Sequence, residues 1–114
     1  MNILSILQFL AVALTIVTGL VSLLWPRSVF GFTGLSAPGP RGISEIRSIL
    51  GGVFIGLGLA VFLLGTPEVY QTLGVTYFAI GAVRLVSIFM DKAGERSNWI
   101  SLLVEIVFGL ILVF

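Results

Sequence analysis

Four long apolar runs separated by short stretches of polar residues and helix breakers set the pattern of this chain. The first, 3–24, carries no charged residue and closes at Trp25 and Pro26. Apolar runs of about 20 residues are the length a helix needs to cross a bilayer. The stretch 25–42 follows, in which Pro26, Gly31, Gly34, Pro38, Gly39, Pro40 and Gly42 alternate with Val29, Phe30, Phe32 and Leu35. It reads as a long loop whose apolar residues lie in the headgroup region. The second run is predicted over 43–64. The tight link Gly65-Thr66-Pro67-Glu68 leads into the third, 69–90, so these two should be antiparallel neighbours. A charged loop, 91–96, precedes the fourth, 97–114, whose length of about 27 Å is barely enough to span. The prediction is an all-α integral membrane protein, an antiparallel four-helix bundle forming one domain over 1–114.

Composition supports that class. Hydrophobic residues make up 58% of the 114, charged residues only 10%, and mean hydropathy is +1.20, outside the range of soluble domains. A secretory leader would show basic residues, a shorter apolar stretch and a small-residue cleavage site; the first run lacks that order and reads as a retained anchor. Basic residues fall in the first loop (Arg27, Arg41) and the third (Lys92, Arg96), with none in the second. That bias predicts a cytoplasmic side for loops one and three, with both termini outside. Trp25 and Trp99 would then share the cytoplasmic interface, and Tyr70 the outer one. The expected setting is a cytoplasmic membrane.

A net charge of +1 gives no reason to expect a nucleic-acid partner. The chain has no cysteine and no histidine, the usual ligands of haem, iron-sulfur clusters, copper and zinc, so no metal or cofactor is expected. Acid or base chemistry near neutral pH would fall to carboxylates.

Against this apolar background, Arg84 and Glu105 lie inside the third and fourth runs. Arg84 is seven residues before Asp91 and Glu105 six after Trp99, so each sits roughly 10 Å inside the cytoplasmic boundary and the two can meet. A charge in hydrocarbon costs roughly 2.5–3.5 kcal/mol on insertion scales and needs a partner or a task. Glu45, Arg47 and Ser48 enter on the second helix nearer that boundary; Thr18 and Ser22 come from the first and Ser87 from the third. Helical spacing places Thr15, Thr18, Gly19 and Ser22 on one face of the first helix. It likewise groups Tyr77, Gly81, Arg84, Ile88 and Asp91 on the third, and Ser101, Glu105, Phe108, Gly109 and Leu112 on the fourth. The outer half, Gln8 apart, is nearly pure hydrocarbon. Gly52 and Gly56 make a Gly-x-x-x-Gly pair on the second helix, read first as packing inside the bundle and second as an oligomer or partner contact.

Taken together, a Pro-containing loop, Glu45-x-Arg47 before Gly51-Gly52-x-x-x-Gly56-x-Gly58-Leu59, then Arg84-x-x-Ser87-x-x-x-Asp91 and finally Glu105 with Gly109 resemble a functionally uncharacterised family of small four-span bacterial membrane proteins. More distantly they resemble the DoxX group of four-helix membrane proteins. Where the family has an Asp-Gly pair after the third helix, this chain has Asp91-Lys92. The resemblance covers nearly the whole chain and implies fold and topology; it brings no established activity.

Three functional readings follow. A binding protein or redox-neutral enzyme would admit an isoprenoid, quinone or lipid from the bilayer into a pocket built on Glu45, Arg47, Arg84 and Glu105. Glu105 or Glu45 would be the acid or base, Arg84 would orient a polar head, and Arg47, Ser48, Ser87, Asp91, Thr18 and Tyr77 would line the ligand. An accessory subunit would dock a partner through the glycine-rich second helix, its charges only locking the bundle: Arg84 with Glu105, and Glu45 with Arg47 or Asp91. Three carboxylates then face two guanidiniums, which leaves an acid over, and an unpaired carboxyl in a dry pocket is a proton donor. A proton or ion pathway would need polar residues continuing outward, which the outer half lacks.

Overall fold

A computed structural model of the chain describes residues 2–114, and among these there is no strand. Four helices are long and apolar enough to cross a membrane: Ile3–Leu24, Pro40–Leu64, Pro67–Met90 and Arg96–Val113. The all-α class, the number of spans and their approximate bounds are those the hydropathy pattern predicts. The chain is an integral membrane protein.

The starts of the helices differ from expectation for a common reason. The second begins at Pro40 and the third at Pro67, each with proline in the first turn. Proline's fixed φ suits that position, and its missing N–H would have no intrahelical acceptor there. Residues treated as loop, Arg41 among them, are therefore helical. The 25–39 connection is also more ordered than its breakers imply, with a 3₁₀ turn at Pro26–Val29 and one helical turn at Phe30–Thr33. Gly34 ends that turn at φ 76°, its N–H returning to the Phe30 carbonyl.

The helices fall into two compact units. One comprises residues 2–11 and 65–114 and is dominated by the hairpin of the third and fourth helices. The buried positions on the third helix are Leu73, Gly74, Tyr77, Gly81 and Ile88; on the fourth they are Leu102, Glu105, Gly109 and Leu112. Both sets repeat at three to four residues, so each is one helical face. Small residues let the faces approach: a Cβ on Gly74 would lie 3.0 Å from the Val113 nitrogen, and one on Gly109 2.6 Å from the Phe78 ring. The Tyr77 ring stands edge-on to Phe108 at 5.4 Å, and Phe89 meets Trp99 at 6.2 Å. Gln8 donates across helices to the Ile111 carbonyl at 3.1 Å, the interhelical bond expected of it.

The other unit, 12–64, pairs the later part of the first helix with the second. Ala11, Val12, Thr15, Gly19 and Ser22 are the buried face of the first helix. Thr18 is exposed and donates to its own helix at the Leu14 carbonyl, so it leaves the predicted stripe. Gly19 lies against the backbone of Gly51 and Ile55, where a Cβ would be 2.7 Å from the Gly51 oxygen. Gly51 and Gly58 also face the first helix, but Gly52 and Gly56 are exposed with nothing within 4 Å of a built Cβ. The Gly-x-x-x-Gly pair thus does not serve packing inside the unit; its neighbours do. Residues Ile46–Gly51 form a π-helical turn, a rare widening that no periodicity in the sequence announces.

These contacts predict opposite outcomes for two glycine substitutions. Gly19→Ala should cost about 1–3 kcal/mol through overpacking against backbone that cannot yield. Gly52→Ala should be neutral or raise stability by up to ~1 kcal/mol through helix propensity. Thermal melts followed by circular dichroism in detergent check both; equal effects would contradict the packing described.

Candidate functional site

The interior polar centre is a bidentate ion pair. The Arg84 Nε donates to Glu105 Oε1 at 2.8 Å and Oε2 at 3.0 Å, and its Nη2 donates to Oε2 at 2.7 Å. The third helix carries Arg84 to the seam. The fourth presents Glu105 opposite Gly81, where a Cβ would be 3.5 Å from the Glu105 Cβ. Planar guanidinium and carboxylate groups joined by parallel N–H···O bonds form the strongest geometry available to such a pair. The partners are unequally placed, because the Glu105 side chain retains 9% of its exposure and that of Arg84 31%. Only the cation can be reached from outside the hairpin.

Asn98 completes the centre and was not foreseen. Its Oδ1 accepts from Arg84 Nη1 at 2.7 Å, and its Nδ2 donates to the Ala93 carbonyl at 2.8 Å. The polarity of Asn98 is uninformative alone, since it sits in a first helical turn where asparagine is common. Only its place two turns before Glu105, within reach of Arg84, explains it. The Ala93 carbonyl is positioned by the end of the third helix, where Asp91 N–H returns to Ser87 and Ala93 N–H to Ile88. Such a closure needs a left-handed residue between them, and Lys92 supplies it at φ 53°. That is the position at which the family resemblance places glycine.

An open groove of about 520 Å³ lies on this hairpin, lined by Ala79, Ile80, Val83, Arg84, Ser87 and Asn98. Three walls are apolar and three polar, and Val83 is 71% exposed. Ser87 at its edge donates to Asp91 Oδ2 at 2.6 Å. Tyr77, an expected ligand contact, is instead buried against Phe108.

In the other unit the expected pairing of Glu45 with Arg47 does not form. Glu45 accepts from Arg41 at 2.6 Å, one helical turn earlier, in a pair with side chains 83% and 53% exposed. The cause is the early helix start, which puts Arg41 at the i−4 position. Arg47 donates to the Leu23 carbonyl at 2.7 Å. It therefore satisfies a terminal acceptor of the first helix and sets a cation at the negative end of the helix dipole. Ser48 is exposed within the π turn. Every acid of the expected charged layer has a polar partner: Glu45 has Arg41, Asp91 has Ser87, Glu105 has Arg84. The carboxylate left over by the charge count is Asp91, which is exposed and accepts from the Ser87 hydroxyl, so no acid of this layer sits unpartnered in a dry pocket. Among the described residues no cluster of metal-ligating side chains occurs.

Fold and site define a small polytopic membrane protein with a buried, charge-balanced ion pair beside a lateral groove. More particularly, the chain belongs to the family described as Domain of unknown function (DUF4345), whose model matches residues 3–114. Comparisons with curated proteins and with solved structures found no match.

Two outcomes follow from the geometry. Breaking the buried pair with Glu105→Gln should cost about 3–5 kcal/mol, because it strands a guanidinium. Arg41→Ala should cost ~1 kcal/mol or less at an exposed pair. Comparable losses in detergent melts would contradict the assignment. Lys92→Gly should raise stability by about 1 kcal/mol by relieving the left-handed backbone; a lower melting midpoint would count against that closure.

Proposed function

We propose that the protein binds a hydrophobic small molecule or lipid drawn from the bilayer, holding its polar head in the groove at Arg84. The single observation that carries this reading is the asymmetry of the ion pair. Glu105 is sealed in the hairpin seam while Arg84, the group able to grip a head, opens between Ala79, Ile80 and Val83. An apolar recess with a few convergent polar groups is the usual form of a small-molecule site. Binding without conversion fits better than acid–base chemistry, since both Glu105 oxygens are occupied by Arg84 and Glu45 is occupied by Arg41. The ligand contacts are accordingly Arg84, Ser87 and Asn98, with Arg47 assigned to closing the first helix.

A second reading is favoured by one observation. Gly52 and Gly56 leave open space on the second helix, which suits a closely approaching helix of a second copy or of a partner subunit. Under either reading we place the protein in a bacterial inner membrane, distantly akin to the DoxX group. The connections that hold Arg27 and Lys92, with the helix starts that carry Arg41 and Arg96, would face the cytoplasm, following the positive-inside bias.

Mass spectrometry of small molecules co-purified with the wild type and with Val83→Trp tests the binding role. The tryptophan fills the groove from an exposed position and leaves the ion pair in place. A specific molecule retained by the wild type and lost from the variant is expected. Bulk lipid alone in both preparations would reject the groove as a ligand site.

A further inference from the structure

The donor inventory of Arg84 narrows the class of head that the groove can accept. A guanidinium carries five N–H groups. Nε engages Glu105, one N–H of Nη2 engages Glu105, and one of Nη1 engages Asn98. One N–H on each terminal nitrogen remains, and it is the guanidinium, not the carboxylate, that opens to the groove. A head docking there therefore meets donors and must offer an acceptor.

The charge balance decides which acceptor. Arg84 is neutralised at contact distance by Glu105, and Asp91 stands behind Ser87 at the groove's edge. Lys92 in the exposed turn and Arg96 at the start of the fourth helix do not line the groove, and neither does Asp91. An anionic head would have to leave water for an apolar recess with no unmatched cation to receive it. A cationic head would meet the N–H groups of Arg84. A hydroxyl head would bring a donor as well as an acceptor, so only part of its hydrogen-bonding capacity would answer the remaining N–H groups of Arg84. An uncharged carbonyl has two lone pairs, needs no counter-charge and leaves no donor unsatisfied.

Resting on the groove as a ligand site, we infer that its occupant is an uncharged, bilayer-soluble amphiphile whose carbonyl oxygen accepts from the two remaining N–H groups of Arg84. The apolar chain lies along Ala79, Ile80 and Val83.

The test uses the full chain in alkyl maltoside micelles, which contain no ester or ketone to compete, with arginine side chains labelled for ¹H–¹⁵N spectroscopy. Methyl palmitate and palmitate are the probes, matched in chain and compared at alkaline pH, where palmitate is ionised. Methyl palmitate should shift the Arg84 guanidinium signals saturably in the wild type and leave them unmoved in Val83→Trp. Palmitate should act with an affinity roughly tenfold weaker or less. Palmitate binding as tightly as the ester would overturn the uncharged class while preserving the groove as a site. No saturable shift with either probe, or the same shift in Val83→Trp, would overturn both.

Discussion

The contact between Arg84 and Glu105 governs how the hairpin of the third and fourth helices can be built. Two charges that would each be expelled from a bilayer become tolerable together, because a planar fork and a planar carboxylate satisfy one another directly. The apolar seam around them obeys that geometry. Gly81 faces Glu105 across the seam, and Gly74 and Gly109 let the helices close at the other end. Asn98 and the Ala93 carbonyl carry the network to the turn, so the helix end and the ion pair support each other.

That arrangement also separates two roles often assigned together to intramembrane charge. The carboxylate is structural, buried and doubly bonded. The guanidinium is structural on one edge and available on the other, and its availability gives the groove its polar side. Neutrality of the pair then matters as much as its strength. A neutral centre holds the hairpin together without presenting a net charge to the membrane.

Much of this could be read from residue spacing. Tyr77, Gly81 and Ile88 share a face because helices repeat every 3.6 residues, and the same count brings Arg84 level with Glu105. The span number followed from hydropathy alone. What stayed hidden depends on events that periodicity does not encode. The helix start at Pro40 gave Glu45 a nearer partner, Arg41, than Arg47. The π turn at Ile46–Gly51 has no compositional signature. Thr18 could bond its own helix, an option open to any threonine, and so left its face. Asn98 was missed because its importance is its position below Arg84, a tertiary fact. The Gly52–Gly56 spacing was legible as a motif, but the direction it faces was not.

The most direct test of the account is a distance measurement in bilayers: dipolar recoupling by solid-state nuclear magnetic resonance between the ¹⁵N-labelled guanidinium of Arg84 and the ¹³C-labelled carboxylate of Glu105. Strong coupling at hydrogen-bonding range, abolished in Glu105→Gln and unchanged in Glu45→Gln, is the predicted result. A guanidinium with no carboxylate carbon in range would contradict the ion pair, and with it the neutral centre on which the site is built.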